Sequence, residues 1–238
     1  MTPKFSSLAA ILTLGAGCMF LVGAAFAQDA SQTPIAPVPL ALIFSFCFLM
    51  LGPIKIIGLF AKITQGADAA MTRNLAVRAT LFSSIALLVA AFFGEAFLQR
   101  YMIPIPVLVL AAGIVLFLVA LLGILKQFTP PAHPSGEPAT VPTLSMALSP
   151  IAFPTVVTPY GIAAVIVFLS LSPDLDTKLK IGAILLAVML LNLAAMLLAK
   201  SILRFLGLFL QILGAVLGII QVAVGLNLIV TALKRLWV

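Results

Sequence analysis

The chain has 238 residues, of which 63% are hydrophobic and only 8% are charged, and its mean hydropathy is +1.31. An ordinary soluble domain carries about 25% charged residues, so this composition excludes a soluble globule and indicates a protein whose solvent is lipid. The net charge of +7 does not indicate nucleic-acid binding, because the basic residues stand singly at the ends of apolar runs, where membrane proteins carry their positive loop charges.

The apolar segments predict an all-α bundle of about six transmembrane helices. A chain in lipid must satisfy every backbone polar group internally, which leaves helix bundles and closed barrels. Barrel strands alternate apolar and polar residues over about 10 positions. The apolar runs here are instead continuous and about 20 residues long, which is the length of a membrane-spanning helix.

Residues 1–27 have the three parts of a signal peptide, and a polar leader at residues 28–38 follows. Lys4 gives a positive start, an apolar core comes next, and the segment from Ala25 to Ala27 is a small-residue cleavage site. An anchor helix that stays uncleaved is the alternative. Either form places the leader outside the cytoplasm.

A long polar linker at residues 126–145 divides the apolar segments three and three. The first three form one half at residues 39–125, and the last three form a second half at residues 146–238. The linker is rich in proline and small residues, which is typical of a flexible connector, and we expect it to be cytoplasmic. The predicted spans lie at residues 39–62, 76–98, 104–125, 146–170, 180–199 and 206–233.

Gly52-Pro53 interrupts the first span near its middle. Proline removes a helix hydrogen bond and clashes with the preceding turn, and glycine adds conformational freedom, so the pair predicts a kink or an unwound point at membrane depth. Lys55 follows two residues later. A lysine inside a span costs at least about 2.5–3.5 kcal/mol on insertion scales. It either marks a solute pathway or extends along the helix to the cytoplasmic interface.

Three prolines interrupt the fourth span in a similar way. Their spacing excludes a straight helix, and the carbonyl groups that the breaks release need donors or a water-lined cavity. A kinked packing helix without a ligand is the alternative to a binding site. The residues concerned are Pro150, Pro154 and Pro159, with Thr158, Tyr160 and Gly161 around the last of them.

The two interrupted spans open the two halves of the chain. Because each half holds three spans, which is an odd number, two like halves in sequence would have opposite orientations. Interruptions at corresponding positions of inverted halves are the best sequence indication of a transporter site. We therefore expect a solute pathway formed by Gly52, Pro53, Lys55, Pro154, Thr158, Pro159, Tyr160 and Gly161.

Glycines recur along one face of the sixth span. At about 100° per residue, Gly207, Gly214, Gly218 and Gly225 form a narrow stripe, and Gln221 flanks it. Small residues allow helices to approach closely, and amides add hydrogen bonds across the contact. The stripe predicts a buried interface, either within the bundle or between the protomers of a homo-oligomer.

The sequence holds no catalytic constellation. It has no Ser/His/Asp set, no metal-ligand cluster, no Walker motif and no dinucleotide fingerprint. The single histidine, His133, lies in the linker, and Asn192 is an isolated amide in the fifth span. We therefore expect no enzyme activity, no catalytic or metal-binding residues and no cofactor.

The interrupted spans resemble those of the MarC family of bacterial inner-membrane proteins. The segment from Gly52 to Phe60 is similar to the family's N-P-x-G-N-x-P-x-F motif. The segment from Pro150 to Ile162 is similar to its P-L-A-x-P-x-x-x-G-P-G-x-I motif. Residues 111–117 match its A-G-G-x-L-L-F run, and residues 214–225 resemble its glycine-rich last helix. The resemblance runs from about residue 38 to the C-terminus.

The chain departs from these motifs at polar positions. Gly52, Lys55 and Ile56 stand where the family has Asn, Gly and Asn, and Thr158 and Tyr160 stand where it has glycines. If those family groups bind a solute, this chain binds a different solute or none. The family's three-plus-three arrangement resembles that of LysE-type amino-acid exporters, which implies export of a small solute.

Two functions remain open. The first is a secondary transporter or exporter of a small metabolite, in which Lys55 favours an anionic or carboxylate group. The second is a non-transporting accessory or assembly protein, favoured by the glycine stripe and the scarcity of polar residues. A water-accessible cavity with Lys55 at its wall would favour the first function, and a dry bundle with Lys55 extended to the interface would favour the second.

The resemblance implies a location in the bacterial inner membrane. The predicted spans then place both the mature N-terminus and the C-terminus in the periplasm. In that orientation, six of the basic residues near the ends of the spans face the cytoplasm and five face the periplasm. The positive-inside rule therefore adds little support for the orientation.

Overall fold

A computed structural model of the protein describes residues 39–128, 143–172 and 174–237, and every regular element in these ranges is helical. The predicted all-α class is therefore confirmed for this part of the chain. The signal peptide at residues 1–27, the leader at 28–38, most of the linker and His133 lie outside the described residues.

Six α-helices account for most of the described chain. Within the described ranges, four stretches are long and apolar enough to cross a membrane, and a bent pair of helical segments adds a fifth if it counts as one span. The helices are α1 (Leu40–Leu51), α2 (Ile54–Ile63), α3 (Ala69–Arg100), α4 (Ile105–Phe128), α5 (Pro159–Ser170) and α6 (Leu175–Leu236), with a 3-10 turn (Leu144–Ala147) and a π-type segment (Leu148–Val156) before α5.

The first span breaks where Gly52-Pro53 predicts it. α1 ends at Leu51 and α2 begins at Ile54, because a proline inside a helix has no N–H to donate and its ring clashes with the preceding turn. A Cβ atom at Gly52 would lie 1.8 Å from the carbonyl oxygen of Phe48. Only glycine fits this bend without a shift of the backbone.

The fourth span is broken as well. The π-type segment has extended backbone at Ser149 and Phe153, and it meets α5 at an angle of 60°. Thr158 starts α5 as its N-cap, because its Oγ1 accepts a hydrogen bond from the backbone N–H of Gly161 at 3.1 Å, and Pro159 occupies the first helical position.

Aspartates set the starts of the two longest helices. Asp68 accepts from the N–H of Met71 at 2.8 Å before α3, and Asp174 accepts from the N–H of Thr177 at 2.7 Å before α6. The hydrogen bonds from Thr177 lower the pKa of the Asp174 carboxyl. Both caps lie outside the apolar part of the helices.

Two hydrogen bonds show that α6 folds back on itself, although it is a continuous helix of 62 residues. Asn192 Nδ2 donates to the carbonyl oxygen of Leu51 at 2.7 Å, and Gln221 Nε2 donates to that of Leu49 at 3.0 Å. The two acceptors belong to residues only two apart, so they lie within about 7 Å of each other. A straight helix would separate residues 192 and 221 by about 44 Å, so α6 must bend back between them.

The first arm of α6 runs antiparallel to α3. Lys178 Nζ donates to Glu95 at 3.1 Å near the end of α3, and Lys200 Nζ donates to the carbonyl oxygen of Ala67 at 3.2 Å just before its start. The bend of α6 therefore follows Lys200.

The second arm of α6 packs antiparallel to α4. A Cβ at Gly218 would lie 3.2 Å from the side chain of Ile124, and one at Gly225 would lie 2.8 Å from the backbone nitrogen of Phe117. These close approaches need glycine, and they place a later part of α6 against an earlier part of α4.

The predicted fifth span (180–199) and sixth span (206–233) are not separated by a loop, since residues 200–205 are helical. The sequence KSILRF at these positions contains neither glycine nor proline, so nothing interrupts the backbone hydrogen bonds there. The chain changes direction between Lys200 and Gly218, within a run that stays helical.

The buried core lies around the first span, and the apolar surface lies on the outer helices. Phe60, Met50 and Met189 are almost completely buried, whereas Phe92 on α3 is 78% exposed and Phe205 on α6 is 70% exposed. Large exposed apolar surfaces are rare on soluble monomers. The distribution agrees with a bundle that is solvated by lipid.

The bend of α6 can be measured by the distance between spin labels on its two arms. The labels are attached at Leu190→Cys and Ile219→Cys in a background with Cys18 and Cys47 replaced by serine. The distance between them should be far shorter than the value of about 44 Å for a straight helix. Both positions are exposed. Double electron–electron resonance in nanodiscs provides the distance.

The pair Leu179→Cys and Leu197→Cys, within the first arm, is the control and should give about 27 Å whether or not the helix bends. A distance near 44 Å for the first pair, with the control pair as expected, would contradict the folded-back α6.

Candidate functional site

The interruptions of the first and fourth spans lie against each other. Lys55, in the first turn of α2, donates from Nζ to the hydroxyl of Tyr160, in the first turn of α5, at 2.9 Å. A Cβ at Gly161 would lie 2.5 Å from Cδ2 of Leu51, so the glycine allows α5 to approach the end of α1. The structure thus brings together residues that the sequence places 105 positions apart.

The Lys55 side chain points to α5, where it contacts Tyr160. Its Nζ is 5.1 Å from the centroid of the Tyr160 ring. With Nζ only 2.9 Å from the hydroxyl oxygen, the ammonium group lies beyond the edge of the ring and not above its face. The hydrogen bond is therefore the principal contact between the two side chains.

No carboxylate in the described part of the chain pairs with Lys55. Glu95 and Asp176 pair with lysines of α6. Asp68 and Asp174 cap α3 and α6. The first turn of α2 has no side-chain cap, and the starts of α2 and α5 both carry the partial positive charge of a helix N-terminus. The region around Lys55 is therefore suited to an anion.

Two buried amides satisfy the carbonyl groups that the break in the first span releases. Pro53 has no N–H, so the carbonyl of Leu49 loses its helical donor, and Gln221 Nε2 supplies a replacement at 3.0 Å. The carbonyl of Leu51, the last residue of α1, receives Asn192 Nδ2 at 2.7 Å. Both amides are buried, so the break is stabilised by α6 and does not require water.

A cavity of about 200 Å³ lies between α1, α4, α5 and the second arm of α6, with Tyr160 in its wall. Its lining is mostly apolar, and Ser45 and Asn227 add the other polar groups. Ser45 Oγ is buried and has no hydrogen-bond partner in the described part of the chain. Lys55 does not line the cavity and contacts its wall through the Tyr160 hydroxyl.

The remaining residues of the predicted pathway support the break without lining the cavity. The Thr158 hydroxyl caps α5 and Pro159 begins that helix, so both orient Tyr160. Pro154 is exposed within the π-type segment. Gly52 and Pro53 form the break and are buried.

The predicted glycine stripe is divided between two environments. Gly218 and Gly225 pack on α4, and Gln221 bonds to α1. An added Cβ at Gly207 or Gly214 would have no heavy atom within 4 Å. The last part of the stripe, at Gly218 and Gly225, is therefore an interface within the bundle. Its first part, at Gly207 and Gly214, leaves space for another helix.

Sequence reasoning missed Ser45 and the role of Asn192. The missing N–H of Pro53 could have indicated the role of a buried amide, because the carbonyl of Leu49 then needs a donor from another helix. The spans contain few amides that could act as this donor. Ser45 gave no signal, since a single serine in an apolar span is common and its neighbours cannot be read from the chain.

Comparison with known proteins now identifies the family. The family model described as "MarC family integral membrane protein" matches residues 38–237, and the chain belongs to this family. A curated UPF0056 membrane protein of Methanocaldococcus jannaschii is 31% identical over 149 residues, which cover 62% of this chain and 72% of the relative. No solved structure matches the chain. The resemblance noted in the sequence is thus confirmed, and the protein is a multi-pass integral membrane protein.

The donor role of Gln221 can be tested by a substitution that preserves size. Gln221→Leu leaves the carbonyl of Leu49 buried and unpaired, so we expect the free energy of unfolding to fall by about 1–2 kcal/mol. Reversible unfolding in mixed micelles with increasing SDS measures this quantity.

Gln211→Leu is the matched control, because Gln211 lies on the same helix and is exposed; it should change the free energy by less than about 0.5 kcal/mol. Equal stability of the two variants would show that Gln221 does not stabilise the break.

Proposed function

We propose that this member of the MarC family is a secondary transporter that exports a small metabolite with a carboxylate or another anionic group. The observation that carries the proposal is the contact of two interrupted spans through the 2.9 Å hydrogen bond from Lys55 to Tyr160. Helices broken at membrane depth, with their N-termini directed at one place, are typical of the substrate sites of secondary transporters.

The charge of the site supports an anionic solute. Lys55 has a hydroxyl as its partner and, within the described ranges, no carboxylate. A lysine at membrane depth is costly unless it is paired, so an anion that replaces the Tyr160 hydroxyl gains a charge-assisted hydrogen bond. Tyr160 then acts as the partner of Lys55 when the solute is absent.

The bend of α6 supports six membrane crossings. If each arm of α6 crosses once, the first span, α3, α4, the bent pair and the two arms give the three-plus-three arrangement. The antiparallel arms return the end of α6 to the side of the membrane where α1 begins. We infer an orientation in the plasma membrane, the inner membrane of a bacterium, with both of these ends outside the cytoplasm.

A non-transporting accessory protein is the second candidate, and the open part of the glycine stripe favours it. Gly207 and Gly214 leave space for another helix, which is the geometry of close helix association in membranes. A second copy or a different membrane protein would use this face. In either case the site offers binding and not chemistry, and we propose no enzyme activity.

The transport proposal can be tested by comparing metabolites in cells and in medium. We expect a metabolite with an anionic group to accumulate in a deletion strain, to return to its normal level with the wild-type gene, and to remain high with Lys55→Ala. Loss of the ammonium group removes the side-chain cation that donates to Tyr160. Mass spectrometry of both fractions provides the measurement.

Lys62→Ala is the matched control, because Lys62 lies on the same helix and is exposed; it should restore export. Restoration by Lys55→Ala would contradict the role of Lys55 while leaving export in place. Identical profiles in all strains, with each protein present in the membrane, would favour the accessory protein.

A further inference from the structure

The cavity beside Tyr160 is large enough for a small apolar group. Its volume is about 200 Å³, and an apolar protein cavity of about 150 Å³ stays free of water and binds benzene. The space therefore accommodates a group of the size of a benzene ring or slightly larger. A phospholipid headgroup would not match this mostly apolar lining.

The lining also contains a polar group without a partner. Ser45 lines the cavity, and its Oγ is buried without a hydrogen bond in the described part of the chain, so a rotation about χ1 is needed to present the hydroxyl to a ligand. A buried hydroxyl without a partner costs about 1–3 kcal/mol, and this cost is recovered when a ligand provides a donor or an acceptor. Ser45 therefore favours a ligand with one hydrogen-bonding substituent over a pure hydrocarbon.

Small side chains create the space. Ala112 on α4 and Ala163 on α5 line the cavity and are themselves buried. A large residue at either position would occupy the volume that the ligand needs. Tyr160 forms part of the same wall, and its hydroxyl accepts the hydrogen bond from Lys55, so the cavity adjoins the part of the site that is suited to an anion.

We propose that this cavity binds the apolar body of an amphipathic solute, a group about as large as a benzene ring, and that the Ser45 hydroxyl binds its hydrogen-bonding substituent. This inference rests on the proposed function only for the second end of the solute, whose carboxylate would contact Lys55. The substrate class is then a small aromatic or branched aliphatic carboxylate. Binding of the apolar body does not itself require transport.

Fluorine NMR can test the binding with two probes, 4-fluorophenol and 4-fluorobenzoate, added to the full chain in nanodiscs. Empty nanodiscs provide the baseline for probes that dissolve in the lipid. We expect both probes to bind the wild-type protein above this baseline. Ser45→Ala should weaken 4-fluorophenol binding about tenfold, which corresponds to one hydrogen bond.

Ser83→Ala is the matched control for this substitution. Ser83 Oγ is also buried without a partner in the described ranges, but it does not line the cavity. We expect Ser83→Ala to bind both probes like the wild type. Ala163→Phe, which fills the cavity, should bind neither, provided that its thermal unfolding shows a folded protein.

The outcomes separate the cavity from the transport proposal. Binding of 4-fluorophenol equal to the empty-nanodisc baseline, or equal in Ser45→Ala and Ser83→Ala, overturns the cavity inference. Binding of 4-fluorophenol with its Ser45 dependence supports the inference even if Lys55→Ala still exports. Lys55→Ala should lose 4-fluorobenzoate alone, and loss of both probes in this variant would overturn the division into an apolar and an anionic end.

Discussion

The structure depends on the carbonyl groups at the end of α1, where the break at Gly52-Pro53 interrupts the helix in the middle of a membrane span. In water such groups would be solvated, but lipid offers no hydrogen bonds, so another part of the protein must supply them. Gln221 and Asn192 do so from two distant parts of one helix. Because both amides must reach the same short stretch of α1, α6 has to fold back. The break between α1 and α2 is thus held by both arms of α6, Gln221 bonding to Leu49 and Asn192 to Leu51.

The same constraint positions the candidate site. α2 starts again after the break, so Lys55 falls in its first turn instead of the middle of a long helix, and its side chain leaves the helix towards α5. On the other side, the Thr158 cap starts α5 immediately before Tyr160. The glycine at position 161 lets the start of α5 approach the end of α1, next to the start of α2. The Lys55–Tyr160 contact is therefore a consequence of two helix beginnings that face each other across the bundle.

The features that depend only on residues adjacent in the sequence were predicted from the chemistry of single residues and from the length of apolar runs. The breaks at Gly52-Pro53 and before Pro159 follow from the chemistry of proline, and α3 and α4 follow from apolar runs of membrane length. The continuous α6 was not predicted, because a reversal in direction was taken to require a loop, and no local signal distinguishes a bent helix from two short ones. The pairing of Lys55 with Tyr160 and the cavity at Ser45 depend on how the helices are rotated and packed, which the sequence of a single chain does not specify.

Two departures from the family motifs become one feature in the structure. Lys55 and Tyr160 both replace residues that the motifs of the resemblance give as glycine, and their side chains meet at 2.9 Å. The two side chains together occupy the space between α2 and α5. Their hydrogen bond gives each polar group the partner that it needs at membrane depth. In a relative with glycine at both positions, the same crossing would be wider and would lack the ammonium group. Under the proposed function, the pair would distinguish the solute of this chain from that of such a relative, because it adds a charge and removes space at the crossing in a single change.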